Sequence, residues 1–137
     1  MTTELRTLEH LSRHQAMTLL GEHEVGRVAF ALAGRPVLMP LTYAVMGDSV
    51  VLRTSPGSRL ATAAAEGAEV ALEVDGIDLR DRTGWSVVVT GVPRFVTEAA
   101  DPAGHAGGGP PWAPGAEVVV LQVPLASVTG RVIVAVR

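Results

Sequence analysis

Short valine-rich segments, each bounded by glycine, proline or polar turn residues, recur along most of this chain. Segments of this length between turn residues are typical of antiparallel strands. No uninterrupted apolar stretch approaches the roughly 18–20 residues that a membrane-spanning helix requires. The pattern predicts a mainly β protein, with strands at 25–32, 36–45, 49–54, 69–77, 84–96, 117–124 and 130–136.

Two short helices interrupt the series of strands. Ser12 and Gln15 have the spacing of a capping box, and apolar residues follow up to Gly21. A second helix is predicted within 55–67, after Pro56 and Gly57. Turns are expected at Gly34-Arg35 and Gly47-Asp48. Because helices do not alternate with strands, an antiparallel barrel of six or seven strands fits better than a parallel sheet.

Composition narrows the function classes. A net charge of −3 with two Trp, two Phe and one Tyr offers neither a basic field nor a stacking surface for nucleic acid. The chain has no Cys, and residues 1–10 lack a secretory signal, so we expect a cytoplasmic protein. We expect one domain over 1–137, with 1–10 as an N-terminal extension and 99–115 as a Gly/Pro-rich loop.

The segment 53–60 is the most informative for chemistry. Arg53 and Arg59 flank three hydroxyl residues where a strand leads into a helix. Guanidinium groups and the free N–H groups of a helix start both favour a phosphate. The alternative is that Ser55 or Ser58 only caps the helix while both arginines are solvated.

Two further features admit more than one interpretation. Pro36 and Pro40 cannot donate ladder hydrogen bonds, so one side of their strand is expected to be open to a ligand, or to be an ordinary protected edge. Trp85 lies at the start of a predicted strand, and Trp112 lies in a Pro-rich loop. Trp85 either closes a pocket or fills the core, and Trp112 packs either against a ligand or another subunit or on its own barrel.

The sequence contains no established hydrolytic or metal motif. No G-x-S-x-G elbow or phosphate-binding P-loop occurs, and no thiol nucleophile exists. His10 and His14 are four residues apart but straddle the predicted helix start and lack a third ligand, so we expect no metal site.

The ordered set of segments resembles the flavin-binding split barrels of the pyridoxamine phosphate oxidase superfamily. The resemblance extends from Leu11 to about Arg131. The residues that carry it are Leu11-Ser12, Val25-Gly26-Arg27-Val28, 36–43, Arg53-Thr54, Gly57-Ser58-Arg59-Leu60, Glu73-Val74-Asp75, Gly84-Trp85-Ser86-Val87 and Pro111-Trp112.

The resemblance implies a six-stranded antiparallel split barrel that forms a homodimer, with FMN at the subunit interface. By position, the phosphate would be held by Arg53, Thr54, Ser58 and Arg59. The isoalloxazine ring would be lined by Met39, Pro40, Leu41 and Thr42. Trp85 and Ser86 would lie near the cofactor, and Trp112 would come from the partner subunit.

Two departures narrow the expected function. Arg59 stands where the family often has Lys, which preserves the charge. The C-terminal residues 130–137 do not resemble the Arg-containing substrate motif of true pyridoxamine phosphate oxidases, so oxidation of vitamin B6 is not predicted. We expect a flavin-dependent oxidoreductase acting on a small molecule. The alternatives are a deazaflavin-dependent reductase and a non-catalytic flavin-binding or sensing module.

Overall fold

The computed structural model describes residues 5–97 and 118–136 of the chain. Nine strands and two helices occupy these residues. In chain order they are β1 (Leu5–His10), α1 (Arg13–Glu22), β2 (Val25–Leu32), β3 (Arg35–Met46), β4 (Ser49–Thr54), α2 (Arg59–Ala65), β5 (Val70–Asp78), β6 (Thr83–Gly91), β7 (Arg94–Val96), β8 (Val119–Pro124) and β9 (Ser127–Val136).

All strand pairs in the described ranges are antiparallel, and the strand order is β1-β9-β6-β5-β2-β3-β4-β8-β7. The long strand β3 changes partner along its length. Its first part, through Thr42, pairs with β2, whereas Tyr43 to Met46 pair with β4. The mainly β, antiparallel architecture with two short helices is confirmed.

The strand count is nine rather than the seven predicted from the sequence pattern, for two local reasons. The predicted N-terminal extension contains β1, which pairs with β9. The predicted strand 84–96 is broken at Val92-Pro93, and β7 continues on β8 instead. Proline has no N–H to donate to a ladder, so β6 cannot run through this point.

The core combines the inward faces of the strands with both helices. Helix α1 buries Ala16 and Leu20, and α2 buries Leu60 among its alanines. These side chains pack with valines and leucines of β2, β4, β5, β6 and β8 in one cluster. Neither helix in the described residues is long and apolar enough to cross a membrane.

Local signals in the sequence account for the ends of several elements. The capping box is confirmed, since Ser12 Oγ accepts from Gln15 N at 3.1 Å and Ser12 N donates to Gln15 Oε1 at 2.9 Å. The turn Gly47-Asp48 is also confirmed, with Gly47 at φ +60°. The first hairpin turn lies at Ala33-Gly34, one residue earlier than predicted, and Ala33 takes a φ of 51°.

Candidate functional site

The segment between β4 and α2 forms a compact hydroxyl arrangement. Ser58 is the N-cap of α2, and its Oγ accepts a hydrogen bond from Ala61 N at 3.0 Å. The Thr54 hydroxyl donates to the same Oγ at 2.8 Å. The capping role considered for Ser58 is therefore present. Arg53 is half-buried at the end of β4, and Arg59 is exposed at the start of α2. Their predicted role in phosphate binding stays a prediction.

The change of partner along β3 brings two predicted groups of site residues side by side. Tyr43 of β3 pairs with Leu52 of β4. Thr42 and Arg53 are the next residues on each strand beyond that pair, so the predicted ring-binding segment adjoins the predicted phosphate-binding segment. Thr42 is buried at this junction, with 9% of its surface exposed.

Within β3, the predicted ring-binding residues divide between two faces. Met39 and Leu41 are half-buried and pack against the core. Pro40 between them is exposed. Over Arg35–Thr42, the described residues pair β3 only with β2, as expected for a proline-containing strand with one open side. Over this range, the edge of β3 away from β2 is therefore unpaired among the described residues, and Pro40 is exposed.

Trp85 lies across a glycine on the neighbouring strand. It pairs with Gly76, where an added Cβ would lie only 2.5 Å from Trp85 Nε1. The indole also packs against the core, and its ring centroid is 4.8 Å from that of His23. Ser86 faces the other side of β6, in a row with Asp75 and Arg131. The predicted partner-subunit residue Trp112 lies outside the described residues.

A row of side chains connects Pro40 to charged groups on the outward face of the sheet. Pro40 pairs with Arg27, and Arg27 pairs with Glu73. Arg27 Nη1 lies 3.6 Å from Glu73 Oε1 and 3.4 Å from Asp75 Oδ2. Burial, together with the neighbouring Asp75, raises the pKa of Glu73 to about 7, although Arg27 opposes the shift. Glu73 therefore holds a proton over part of the neutral pH range.

The sequence analysis named Arg27, Glu73 and Asp75 among the residues that carry the resemblance but predicted no binding or catalytic role for them. The available signal was two carboxylates at i and i+2 in a predicted strand, which places both on one face. The position of Arg27 opposite Glu73 depends on the β2–β5 register and has no local signal.

A cavity of about 520 Å³ adjoins these carboxylates over β5, β6 and β9. Its lining combines apolar, charged and hydroxyl groups, among them Leu8, Glu73, Ile77, Trp85, Arg131 and Ile133. In the described ranges, no group of three His, Cys, Asp or Glu side chains is arranged to hold a metal ion.

Residues 12–132 match the family model described as pyridoxamine 5'-phosphate oxidase. The chain belongs to this family. The suspected resemblance is therefore confirmed over nearly the whole chain.

One curated protein is similar in sequence to this member of the pyridoxamine 5'-phosphate oxidase family. Protein Rv0080 of Mycobacterium tuberculosis is 40% identical over 101 residues, which are 71% of this chain and 64% of the relative. The matched part thus spans less than two thirds of that relative's length.

Two solved structures share the fold. A FAD-binding protein from Mesorhizobium loti matches with a TM-score of 0.77 at 24% identity, over 94% of this chain and 98% of that chain. A FAD-binding protein from Mycobacterium smegmatis matches with a TM-score of 0.70 at 26% identity, over 92% of this chain and 98% of that chain. The predicted split-barrel fold is confirmed.

Proposed function

We propose that this protein is a flavoprotein that binds FMN at the interface of a homodimer and acts as an oxidoreductase on a small molecule. The observation that carries the proposal is the family match over residues 12–132. It is supported by the likeness to a FAD-binding protein that is 26% identical and covers 92% of this chain.

The residues at the β3–β4 junction fit a phosphorylated flavin. Arg53 and Arg59 supply two guanidinium groups, whose fork geometry matches phosphate oxygens. Thr54 and Ser58 supply hydroxyls on the same segment. Pro40, on the part of β3 that pairs only with β2, lies two residues before Thr42, which adjoins Arg53. When bound, the flavin ring supplies the capacity to accept and pass on a hydride or electrons.

The protein's own contribution is binding and orientation. The buried Thr42 and the core-packed Met39 and Leu41 hold β3 in place, so the strand presents a rigid surface to the ring. Rigid elements position a cofactor more precisely than loops do. The proposed chemistry assigns no proton transfer to a side chain at this junction.

FAD is the second candidate cofactor, because two structures with this fold are FAD-binding proteins. FAD carries the same phosphate next to its ribityl chain, followed by an adenylate. Arg59 is exposed at the start of α2, so its guanidinium is available to the second phosphate of such a ligand. A deazaflavin coenzyme with a polyanionic tail is the third candidate.

The test is an absorbance scan of the purified, desalted protein after incubation with FMN, FAD or the deazaflavin. Retained flavin bands in the wild type, lost in Arg53→Ala/Arg59→Ala, are expected. Arg35→Ala/Arg80→Ala removes the same charge from exposed positions elsewhere and is expected to retain the cofactor. Retention of none of the three cofactors by the wild type contradicts the proposal, and retention by all variants contradicts the phosphate assignment.

Two further measurements address the dimer and the reaction. Sedimentation of the flavin-loaded protein is expected to give a dimer, and a monomer that still holds flavin contradicts the interface location. Turnover with reduced nicotinamide and an artificial acceptor is expected for an oxidoreductase. A flavin-loaded protein without turnover would instead be a binding or sensing module.

A further inference from the structure

We propose that a second copy of this chain docks on the outward face of β1, β9, β6, β5 and β2, with the two-fold axis of the dimer running along β6. Asp75 of each copy then meets the partner's Arg131. The inference rests on the homodimer of the proposed function, and it names the face and the ion pair through which the two copies meet. This face adjoins the proposed flavin site, because Pro40, Arg27 and Glu73 form one row across β3, β2 and β5.

Large aliphatic side chains are concentrated on this face. Strand alternation places Leu8, Val25, Ile77 and Ile133 there, with exposed fractions of 56%, 46%, 70% and 41%. Leu79, in the turn after β5, is 85% exposed and lines the same cavity as Ile77 and Ile133. These five are more than half of the nine large hydrophobic side chains that are exposed in residues 5–97 and 118–136. An apolar surface of this kind is typical of a face on which another protein docks.

The charged side chains of this face have opposite signs on the two sides of β6. Ser86 pairs with Asp75 of β5 on one side and with Arg131 of β9 on the other. Directly paired residues point to the same face, so the three form one row at strand spacings of about 4.8 Å. His10 of β1 extends the basic side, since it pairs with Arg131. Arg131 is exposed and has no hydrogen bond or ion pair with another described residue.

The β5 side of the row carries an excess of negative charge. Glu73 and Asp75 share one guanidinium nitrogen, Arg27 Nη1, at 3.6 and 3.4 Å. These distances exceed the roughly 2.7–2.9 Å of a strong charge-assisted hydrogen bond. At pH 8 Glu73 is mostly ionised, because its pKa is about 7, so two carboxylates face one guanidinium. A guanidinium from a second copy, placed against Asp75, would balance this charge.

A two-fold axis along β6 provides that guanidinium. When two copies of the face meet, such an axis keeps each row opposite itself and exchanges the β5 side with the β9 side. Asp75 then lies opposite the partner's Arg131, twice in each dimer. An axis across the strands, over the same row, would instead place Asp75 opposite the partner's Asp75 and Arg131 opposite the partner's Arg131. Opposed like charges are destabilising, so the charges select the axis along β6.

The same axis matches the apolar row of the face. Ile77, Gly84 and Ile133 are paired across β5, β6 and β9, so the axis places Ile77 opposite the partner's Ile133. A Cβ at Gly84 would lie 2.8 Å from the backbone oxygen of Gly76, so this position on the axis stays without a side chain. The cavity of about 520 Å³ over these strands gives the partner's isoleucines room to pack. Apolar contact drives the association, and the charge pairs fix its orientation.

The experiment is sedimentation of Asp75→Arg and Arg131→Asp at pH 8, each alone and both mixed in equal amounts. Alone, the first variant opposes two arginines at each contact, and the second opposes two aspartates. Each is expected to have a dimer dissociation constant at least about tenfold above that of the wild type. In the mixture every contact joins one arginine to one aspartate, so dimers are expected to return as heterodimers. A variant that has lost its fold is not rescued by mixing, so the rescue reports the interface alone.

Two further variants complete the experiment. Arg35→Asp reverses an exposed charge on β3, outside the docking face, and is expected to dimerise like the wild type. Ile77→Asp places a charge in the apolar row and is expected to weaken the dimer. Its dimerisation at wild-type strength would overturn the apolar part of the interface.

Two results overturn the inference and leave the homodimer in place: Asp75→Arg and Arg131→Asp that each dimerise like the wild type, or a mixture that forms no more dimer than the separate variants. A wild type that is monomeric contradicts the homodimer of the proposed function as well. The two failures are therefore distinguishable, because the first two results require a dimeric wild type and the third excludes one.

Discussion

Replacing Tyr43 by Phe tests how the first helix is fastened to the barrel. Tyr43 is buried, with 1% of its surface exposed, and its hydroxyl donates to Leu20 O at 2.6 Å. Leu20 lies in the last turn of α1, where carbonyl groups have no partner within the helix. The Tyr43 backbone N–H also donates to Glu24 O at 2.9 Å. One residue therefore ties the end of α1 and the following connection to β3.

Removing the hydroxyl leaves the Leu20 carbonyl buried without that donor. The cost of a buried polar group that loses its partner is about 1–3 kcal/mol. The total free energy of unfolding of such a protein is about 5–15 kcal/mol. At this chain length each kcal/mol corresponds to a shift of about 4 °C in Tm. We therefore expect Tyr43→Phe to lower Tm by about 4–12 °C.

Denaturant and thermal unfolding followed by circular dichroism measure this loss. Thr18→Val is the matched control, because the Thr18 hydroxyl donates to His14 O on the exposed side of the same helix. It is expected to change the free energy of unfolding by less than about 0.5 kcal/mol. Equal unfolding midpoints for Tyr43→Phe and wild type would refute a stabilising role for the hydrogen bond from Tyr43 to Leu20 O.

The same residue has a signature at alkaline pH. Burial raises the pKa of Tyr43 above its ordinary value, and the charge of Glu24 adds to the shift. Below the unfolded-state pKa the phenol is neutral in both states, and stability from this group is lost as pH rises above it. Because the chain has one tyrosine, tyrosinate absorbance reports Tyr43 alone. It is expected to appear together with unfolding, and its appearance in a folded protein would contradict the burial argument.

Two further substitutions test local features. The folded-state pKa of Glu73 is raised to about 7, so the wild type is expected to lose stability as pH rises from about 4.5 through 7. Glu73→Gln is expected to remove this loss. Parallel plots of denaturant midpoint against pH for the two proteins would contradict this expectation. Ala33→Gly is expected to raise the free energy of unfolding by about 1 kcal/mol, since Ala33 has a φ of 51°. Gly34→Ala, at a φ of 76° in the same turn, is expected to lower it by about as much, and equal midpoints for both variants would contradict the strain argument.

Local chemistry made much of the fold predictable. Ser12 and Gln15 satisfy each other's backbone groups within one turn, so the start of α1 follows from two residue types at the right spacing. The Gly47-Asp48 turn follows from the freedom of glycine at positive φ. The turn at Ala33 was misplaced by one residue because alanine rarely adopts this conformation, and strand pairing imposes it here.

The candidate site was predictable only as separate segments. Arg53, Ser58 and Pro40 each have a chemical signature that is readable along the chain. Their adjacency follows from the pairing of Tyr43 with Leu52, which no local pattern specifies. The row from Pro40 through Arg27 to Glu73 likewise requires two strand registers at once. The sequence also did not show which face of β3 Met39 and Leu41 occupy. In the structure, both side chains pack against the core.

The sequence by itself determined both helices, the strands other than β1 and the separate β7, most turns and the family, because these depend on residue types and spacings within short stretches. The tertiary structure decided that β1 pairs with β9, that β3 changes partner at Tyr43, and that Glu73 meets Arg27. These features depend on contacts between residues far apart in the chain. Strand register is selected by burial of the whole inward face at once, so no single segment encodes it.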